Sequence, residues 1–148
     1  QAGSPTAGPS EAYSGSNLTG TVLDGNYPDN VNSILVSPSM VLPAIATSEE
    51  IHLRFWQWFS IGGYDNASIM VSEETAPGVW SGWTTLATYS GNSGNVWSYP
   101  LVDLSGYTGK KVRIGFALKQ GNSGPIYYRT YVGAGWFFDD VSITFYTP

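Results

Sequence analysis

The sequence lacks cysteine and carries little positive charge. Its 148 residues include one histidine, six lysine or arginine residues and 11 acidic residues. The absence of cysteine excludes disulfides and thiolate metal ligands. Six scattered cations form no stripe that could follow a phosphate backbone, so nucleic acid is not an expected partner. Every apolar run falls short of the roughly 20 residues that a membrane-spanning helix needs, and membrane insertion is not expected either.

Aromatic side chains are abundant. They make up 15% of the chain, whereas charged residues make up 11%, against about a quarter in an average domain. Such a weakly charged surface is typical of secreted β-proteins and of proteins that pack against copies of themselves. Glycosylation sequons at Asn17 and Asn66 agree with an extracellular location. The start at Gln1 fits either a mature product that has lost a signal peptide or an excised fragment.

Short apolar stretches recur between turns rich in Gly, Pro and Asn, and no window shows a helical period. The longest stretch runs from Ile51 to Ile61. Strand alternation places one row on an apolar face and another on a mixed face. The apolar row is Ile51, Leu53, Phe55, Phe59 and Ile61, and the mixed row is His52, Arg54, Trp56, Trp58 and Ser60. The pattern predicts an all-β fold, a two-sheet antiparallel β-sandwich with jelly-roll topology.

The segment 135–145 is predicted to be a strand with two adjacent carboxylates. Alternation places Asp139 in phase with Phe137 and Val141, a row expected to face the core, and Asp140 on the opposite face. A buried carboxylate must be paired, hydrogen-bonded or bound to a metal, because an isolated buried charge is too costly. Backbone amides or an arginine, Arg54 or Arg113, are the alternatives to a metal ion.

Residues 1–16 are rich in Gly, Ser, Pro and Ala, a composition that predicts an extended tail before a jelly-roll domain at 17–148. An ordered tail of this kind needs something to hold it. It can fold back on its own domain, or it can be donated as a strand to a neighbouring molecule. The composition alone leaves both alternatives open.

Several phrases occur in an order and spacing that resemble one family. They are residues 24–30 (DGNYPDN), 34–38 (ILVSP), 53–59 (LRFWQWF), 64–65 (YD), 69–72 (IMVS), 102–116 (VDLSGYTGKKVRIGF) and 135–141 (GWFFDDV). Together they resemble the MAM-like jelly-roll domains appended to secreted bacterial and archaeal peptidases, and the related cleaved-adhesin domains of cell-surface proteins. The resemblance implies a non-catalytic extracellular module that serves as an accessory, adhesive or binding domain, often with structural calcium.

The chain departs from the family pattern at its start. Related domains open with a strand that carries an acidic residue, and almost nothing precedes the matching region here. The resemblance therefore implies a sandwich that lacks its first strand, which would leave an open sheet edge and a groove.

Calcium is the cofactor that the resemblance favours, and it prefers carboxylate and carbonyl oxygen ligands. Asp139 and Asp140 could supply carboxylates from the last strand. Asp24, Asp29 and Asp65 lie in turns that could add others. These five residues are the predicted metal ligands.

No catalytic cluster is expected. His52 is the only histidine, no Gly-x-Ser-x-Gly elbow accompanies it, and a structural or surface role is the simpler interpretation. Asp139 and Asp140, on opposite faces of a strand, could not by themselves form a glycosidase pair.

The predicted ligand-binding residues are aromatic. Trp56 and Trp58 share one strand face, and Tyr128 and Tyr131 lie in a long loop. Rings of this kind can stack on sugars or contact a protein partner. Their alternative role is to fill the core or cover the sheet.

Two hypotheses follow for function. The leading one is a structural or adhesive module that binds copies of itself, forming filaments or tubes by donating its N-terminal tail, with calcium as stabiliser. The alternative is a carbohydrate- or protein-binding accessory domain of a secreted hydrolase, with a glycan or cell-surface ligand.

Overall fold

The computed structural model describes residues 1–121 and 132–147. They form two antiparallel sheets packed face to face, which confirms the predicted all-β jelly-roll sandwich. The strands are β1 (Ala2–Gly3), β2 (Leu18–Gly20), β3 (Asn32–Val36), β4 (Met40–Val41), β5 (Glu50–Ser60), β6 (Asn66–Ala76), β7 (Val79–Trp80), β8 (Thr84–Tyr89), β9 (Leu101–Asp103), β10 (Lys111–Lys119) and β11 (Gly135–Tyr146). A 3₁₀ helix spans Ser105–Tyr107. Among the described residues, no helix has the length and apolar character needed to span a membrane.

The five-stranded sheet has the order β1-β2-β11-β5-β9, and the second sheet has the order β3-β10-β6-β7. In the second sheet, β4 also pairs with β10, and β8 pairs with β6. The last strand, β11, therefore lies inside its sheet, between β2 and β5. Strand β3 lies at the edge of the other sheet, and all five of its residues are exposed.

The core lies between β5 and β11 on one side and β6 and β10 on the other. Ile51, Leu53 and Phe55 are at most 1% exposed, as predicted for the apolar row of β5. At one end of the core, Phe116 stacks on Phe138 with ring centroids 4.4 Å apart and contacts Trp136 at 5.6 Å. The buried Gln57 accepts a hydrogen bond from Trp136 Nε1 at 3.0 Å, so the polar edge of the indole is satisfied.

The predicted orientation of β11 is wrong. Trp136 and Phe138 face the core, and Phe137 faces outward. Asp139 lies opposite Trp56 on the outer face rather than in the core row. Both rows of this strand begin with aromatic residues, so alternation alone could not choose between them.

A β-bulge between Asp139 and Ser142 then shifts the register. Beyond it Ile143 packs against the core, while Val141 and Phe145 are 48% and 57% exposed. The bulge also overturns the expectation that the two aspartates point to opposite faces, because Asp140 adopts a left-handed φ of 48°.

The N-terminal segment folds back on its own domain: Ala2–Gly3 form the edge strand β1 of the five-stranded sheet, and residues 8–14 cross the outer face of that sheet. Phe137, Trp58 and Leu18 form a second buried cluster beneath it. Gly8 packs on the Phe137 ring so closely that a Cβ atom would lie 2.5 Å from a ring carbon, and its φ of 103° also favours glycine. The tail of the single chain folds back on its own domain, and its donation to a neighbour stays a prediction.

Candidate functional site

An aromatic ladder runs across the outer face of the five-stranded sheet. The Tyr13 ring stacks on Trp56 with centroids 3.7 Å apart and planes 16° apart. Trp56 stacks in turn on Tyr99 at 4.7 Å, and the guanidinium carbon of Arg54 lies 4.0 Å from the centre of the Tyr99 ring. Arg54 and Trp56 are two residues apart on β5, which brings both side chains to one face.

The ladder determines which ring is open to a ligand. Two rings at these distances cannot share one face of an indole, so Tyr13 and Tyr99 cover opposite faces of Trp56. Tyr99 is held in the same way between Trp56 and Arg54. Tyr13 ends the stack, contacts the Trp97 ring edge-on at 6.1 Å, and is 43% exposed. It therefore presents an aromatic surface that is supported from behind by Trp56.

The two aspartates of β11 hold Tyr13 in place. The backbone N–H of Ser14 donates to Asp139 Oδ2 at 3.1 Å, and the Ser14 hydroxyl donates to Asp140 Oδ1 at 2.7 Å. Asp139 Oδ1 also accepts the N–H of Asp140 at 2.9 Å, which closes the bulge. Asp139 thus accepts hydrogen bonds from backbone amides, one of the predicted alternatives to a metal ion. Both carboxylates fix the position of Ser14, the residue next to Tyr13.

The predicted ligand-binding tryptophans have different roles from those expected. Trp58 is 7% exposed and packs edge-on against Phe137 at 5.7 Å, so its ring is buried beneath the N-terminal segment. Trp56 lies within the ladder with both ring faces covered. Tyr128 and Tyr131 lie outside the described residues. Among the ladder residues, Tyr13 is the most exposed ring, and it was not predicted from the sequence because it lies in a segment with tail-like composition.

The five predicted metal ligands are not gathered into one site. Asp24 accepts a hydrogen bond from the Thr6 hydroxyl at 2.9 Å, and Asp29 is exposed in a turn. Within residues 1–121 and 132–147, no group of three or more His, Cys, Asp or Glu side chains is placed to hold a metal ion. Only Asp139 and Asp140 lie together, and calcium stays a prediction.

Asp65 has a structural environment of its own. Its Oδ2 accepts the Tyr27 hydroxyl at 2.7 Å, and its Oδ1 accepts the N–H of Gly121 at 3.1 Å. Burial, together with the hydrogen bond to Asp65, raises the pKa of Tyr27 well above its ordinary value of 10.0. This buried pair ties the 24–30 turn to the loop between β5 and β6.

His52 also has a structural environment. It is 9% exposed, its Nε2 lies 2.7 Å from Glu50 Oε2, and its ring stacks loosely on Tyr146 at 6.5 Å. These contacts agree with the predicted structural role.

Comparison with known proteins gives one curated relative. Bacillopeptidase F of Bacillus subtilis (strain 168) is 29% identical over 143 residues, which cover 96% of this chain but 9% of that protein. The chain thus spans less than a tenth of its relative. No protein-family model matches the chain. Among solved structures, TmCBM61 in complex with beta-1,4-galactotriose overlaps 93% of this chain and 75% of that one, with 14% identity and a TM-score of 0.49.

Proposed function

We propose that this chain is a non-catalytic, extracellular binding domain of a larger hydrolase and that it binds carbohydrate at the Tyr13 end of the aromatic ladder. The observation that carries the proposal is the exposed Tyr13 ring. It stacks at 3.7 Å on Trp56, and the neighbouring Ser14 is held by hydrogen bonds to Asp139 and Asp140. The similarity to a small part of Bacillopeptidase F supports an accessory place in a larger enzyme.

The geometry suits a sugar because a pyranose ring has an apolar face of C–H groups that can lie flat on an aromatic ring. Tyr13 offers such a face with its orientation already set by stacking, so little side-chain freedom is lost on binding. Its hydroxyl can serve as a hydrogen-bond donor or acceptor for a sugar hydroxyl. A pre-formed platform of this kind recognises a repeating polymer without needing a deep pocket.

A glycan array followed by affinity electrophoresis in polysaccharide gels tests the proposal. Tyr13→Ala is expected to weaken binding about tenfold or more, which corresponds to ~1.4 kcal/mol. Tyr13→Phe keeps the stacking face and is expected to stay within a few fold of the native chain. Tyr146→Ala is the matched control, because Tyr146 is also exposed, at 55%, but lies outside the ladder. Native-strength binding by Tyr13→Ala, or no glycan bound by the native chain, would contradict the proposal.

Self-association is a second candidate, and the β3 edge favours it. Ile34, Leu35 and Val36 are 41%, 52% and 39% exposed, and no charged residue interrupts the strand. Beside it lies a groove of about 200 Å³ that reaches Phe116 and Trp136 in the core. An uncharged apolar edge next to an open groove is suited to accept a strand from another copy.

Charging that edge tests the second candidate. Leu35→Lys is expected to keep the chain monomeric under conditions where the native chain forms larger species, as measured by light scattering and electron microscopy. Val79→Lys is the control, because Val79 is 55% exposed on β7, at the other side of the same sheet. A native chain that stays monomeric at high concentration would eliminate this candidate.

A further inference from the structure

A second arrangement of aromatic and cationic side chains lies on the opposite sheet. Arg113 is on β10 between the buried Val112 and Ile114, so its side chain points to the outer face. Its guanidinium carbon lies 4.5 Å from the centre of the Trp80 ring and 4.9 Å from that of Trp83. Trp80, Arg113 and Trp83 form what we call the indole–arginine clamp.

The clamp is held by a rigid turn. The Ser81 N–H donates to the Glu73 carbonyl at 2.8 Å, and the Glu73 N–H donates to the Ser81 hydroxyl at 3.0 Å. The Ser72 hydroxyl donates to the Ser81 carbonyl at 2.8 Å. Three hydrogen bonds thus attach Ser81, one of the two residues between the tryptophans, to β6, the strand beside β10, and both indoles are positioned without a ligand.

Arg113 has no anionic partner among the described residues. Its Nε is buried without a hydrogen bond, its terminal nitrogens form no hydrogen bond with a described residue, and the side chain as a whole is only partly buried. The neighbouring lysines are different: Lys110 pairs with Glu73 at 2.7 Å and Lys111 with Glu74 at 2.8 Å. Because these two pairs are neutral, Arg113 leaves a local excess of one positive charge on a protein whose net charge is −5.

We propose that the indole–arginine clamp binds an acidic sugar, with the carboxylate of a uronic acid on the guanidinium edge of Arg113 and the sugar ring against Trp80 or Trp83. An arginine fork matches a carboxylate with two parallel hydrogen bonds. Indole rings 4.5 and 4.9 Å from the guanidinium carbon shield the group from water on the sides they occupy and leave the rest of its edge for the anion. The ligand class deepens the proposed carbohydrate-binding function, but the clamp shares no residue with the Tyr13 ladder.

An isolated sugar carboxylate fits this surface better than an acidic peptide. An Asp or Glu side chain carries its carboxylate on a short flexible stem and offers no ring face to an indole. A uronic acid brings one charge per ring and an adjacent C–H face that suits an indole.

Isothermal titration with oligogalacturonate tests the proposal, with the methyl-esterified oligomer as a probe that lacks the charge. The native chain is expected to bind the acid form and to bind the ester at least tenfold more weakly. Arg113→Gln is expected to weaken binding of the acid form about tenfold to one-hundredfold, as for loss of a charge-assisted hydrogen bond. Arg113→Lys keeps the charge but loses the fork. Its affinity for the acid form is therefore expected to lie between that of the native chain and that of Arg113→Gln.

Lys119→Gln is the matched control, because Lys119 is an exposed cation on the same strand as Arg113 but lies outside the clamp and outside the Tyr13 ladder. Equal loss in Lys119→Gln and Arg113→Gln would show a general charge effect and overturn the proposal, as would equal binding of acid and ester or stronger binding of an acidic peptide. Thermal melts check that each variant is folded. If Arg113→Gln does not fold, Arg113→Lys provides the test. Loss of neutral-glycan binding in Tyr13→Ala, with the acid form still bound, would separate the two sites.

Discussion

Removal of the Tyr27 hydroxyl is expected to destabilise the fold. Tyr27 is 1% exposed, and its hydroxyl donates to Asp65 Oδ2 at 2.7 Å while accepting the N–H of Gly62 at 2.8 Å. Tyr27→Phe keeps the ring and deletes both hydrogen bonds. The buried Asp65 carboxylate then retains the N–H of Gly121 as its remaining hydrogen bond among the described residues.

The size of the effect follows from the two bonds. A hydrogen bond to a charged group contributes about 1.5–3 kcal/mol, and an unsatisfied buried N–H costs about 1–3 kcal/mol. Allowing for partial relaxation, we expect Tyr27→Phe to lower the free energy of unfolding by about 2–4 kcal/mol. For a chain of this length, each kcal/mol shifts Tm by roughly 2–4 °C, so Tm should fall by roughly 4–16 °C.

Circular dichroism melts at neutral pH measure the shift. Tyr89→Phe is the matched control, because Tyr89 is a partly buried ring that contacts Phe59 and Trp136 and whose hydroxyl has no hydrogen-bond partner among the described residues. It should change Tm by at most a few degrees. If Tyr27→Phe were no more destabilising than Tyr89→Phe, the Tyr27–Asp65 bond would not have the energetic role assigned to it.

Four further outcomes are expected. Because burial raises the pKa of Tyr27 above 10.0, the folded chain holds this proton more tightly than the unfolded chain, so the stability gap between native and Tyr27→Phe should narrow as pH rises above 10 in urea titrations. Gly8→Ala should lower Tm and weaken glycan binding, since the new methyl group would clash with Phe137; unchanged values would mean that the N-terminal segment is not tightly packed. Asp140→Gly should be about 1–2 kcal/mol more stable than Asp140→Ala in denaturant unfolding, since both lose the carboxylate and only alanine strains the left-handed backbone; equal stabilities would refute this. Calcium, if it binds, should raise Tm over that in chelator for the native chain but not for Asp139→Asn, and an unchanged native Tm would argue strongly against a structural ion.

The fold was predictable from sequence where one face of a strand was clearly apolar. In β5, residues Ile51, Leu53 and Phe55 alternate with His52 and Arg54, and this difference determines which row is buried. In strand β11, three consecutive aromatic residues follow Gly135, so either row could be the core row. The sandwich fold was therefore evident, and the orientation of its last strand was not.

The candidate site could be predicted only in part. Trp56 was identified from its place on the outer face of β5, but its partner Tyr13 lies 43 positions earlier, in a segment without strand periodicity. Contacts between Ser14 and Asp139 or Asp140 depend on a bulge and on a left-handed backbone, and neither follows from alternation. Contacts between residues so far apart in the sequence are decided by tertiary packing rather than by the local sequence pattern.

The strand order has a consequence for the time course of folding. Because β11 lies between β2 and β5, residues near the two ends of the chain must meet before the five-stranded sheet exists. Ser14 and Asp140 are 126 positions apart and still form a hydrogen bond. A chain emerging from the ribosome can pair β6 with β8 early, but β2 and β5 are joined into one sheet only after β11 has emerged. Folding in milliseconds to seconds, rather than microseconds, is expected from such non-local pairing.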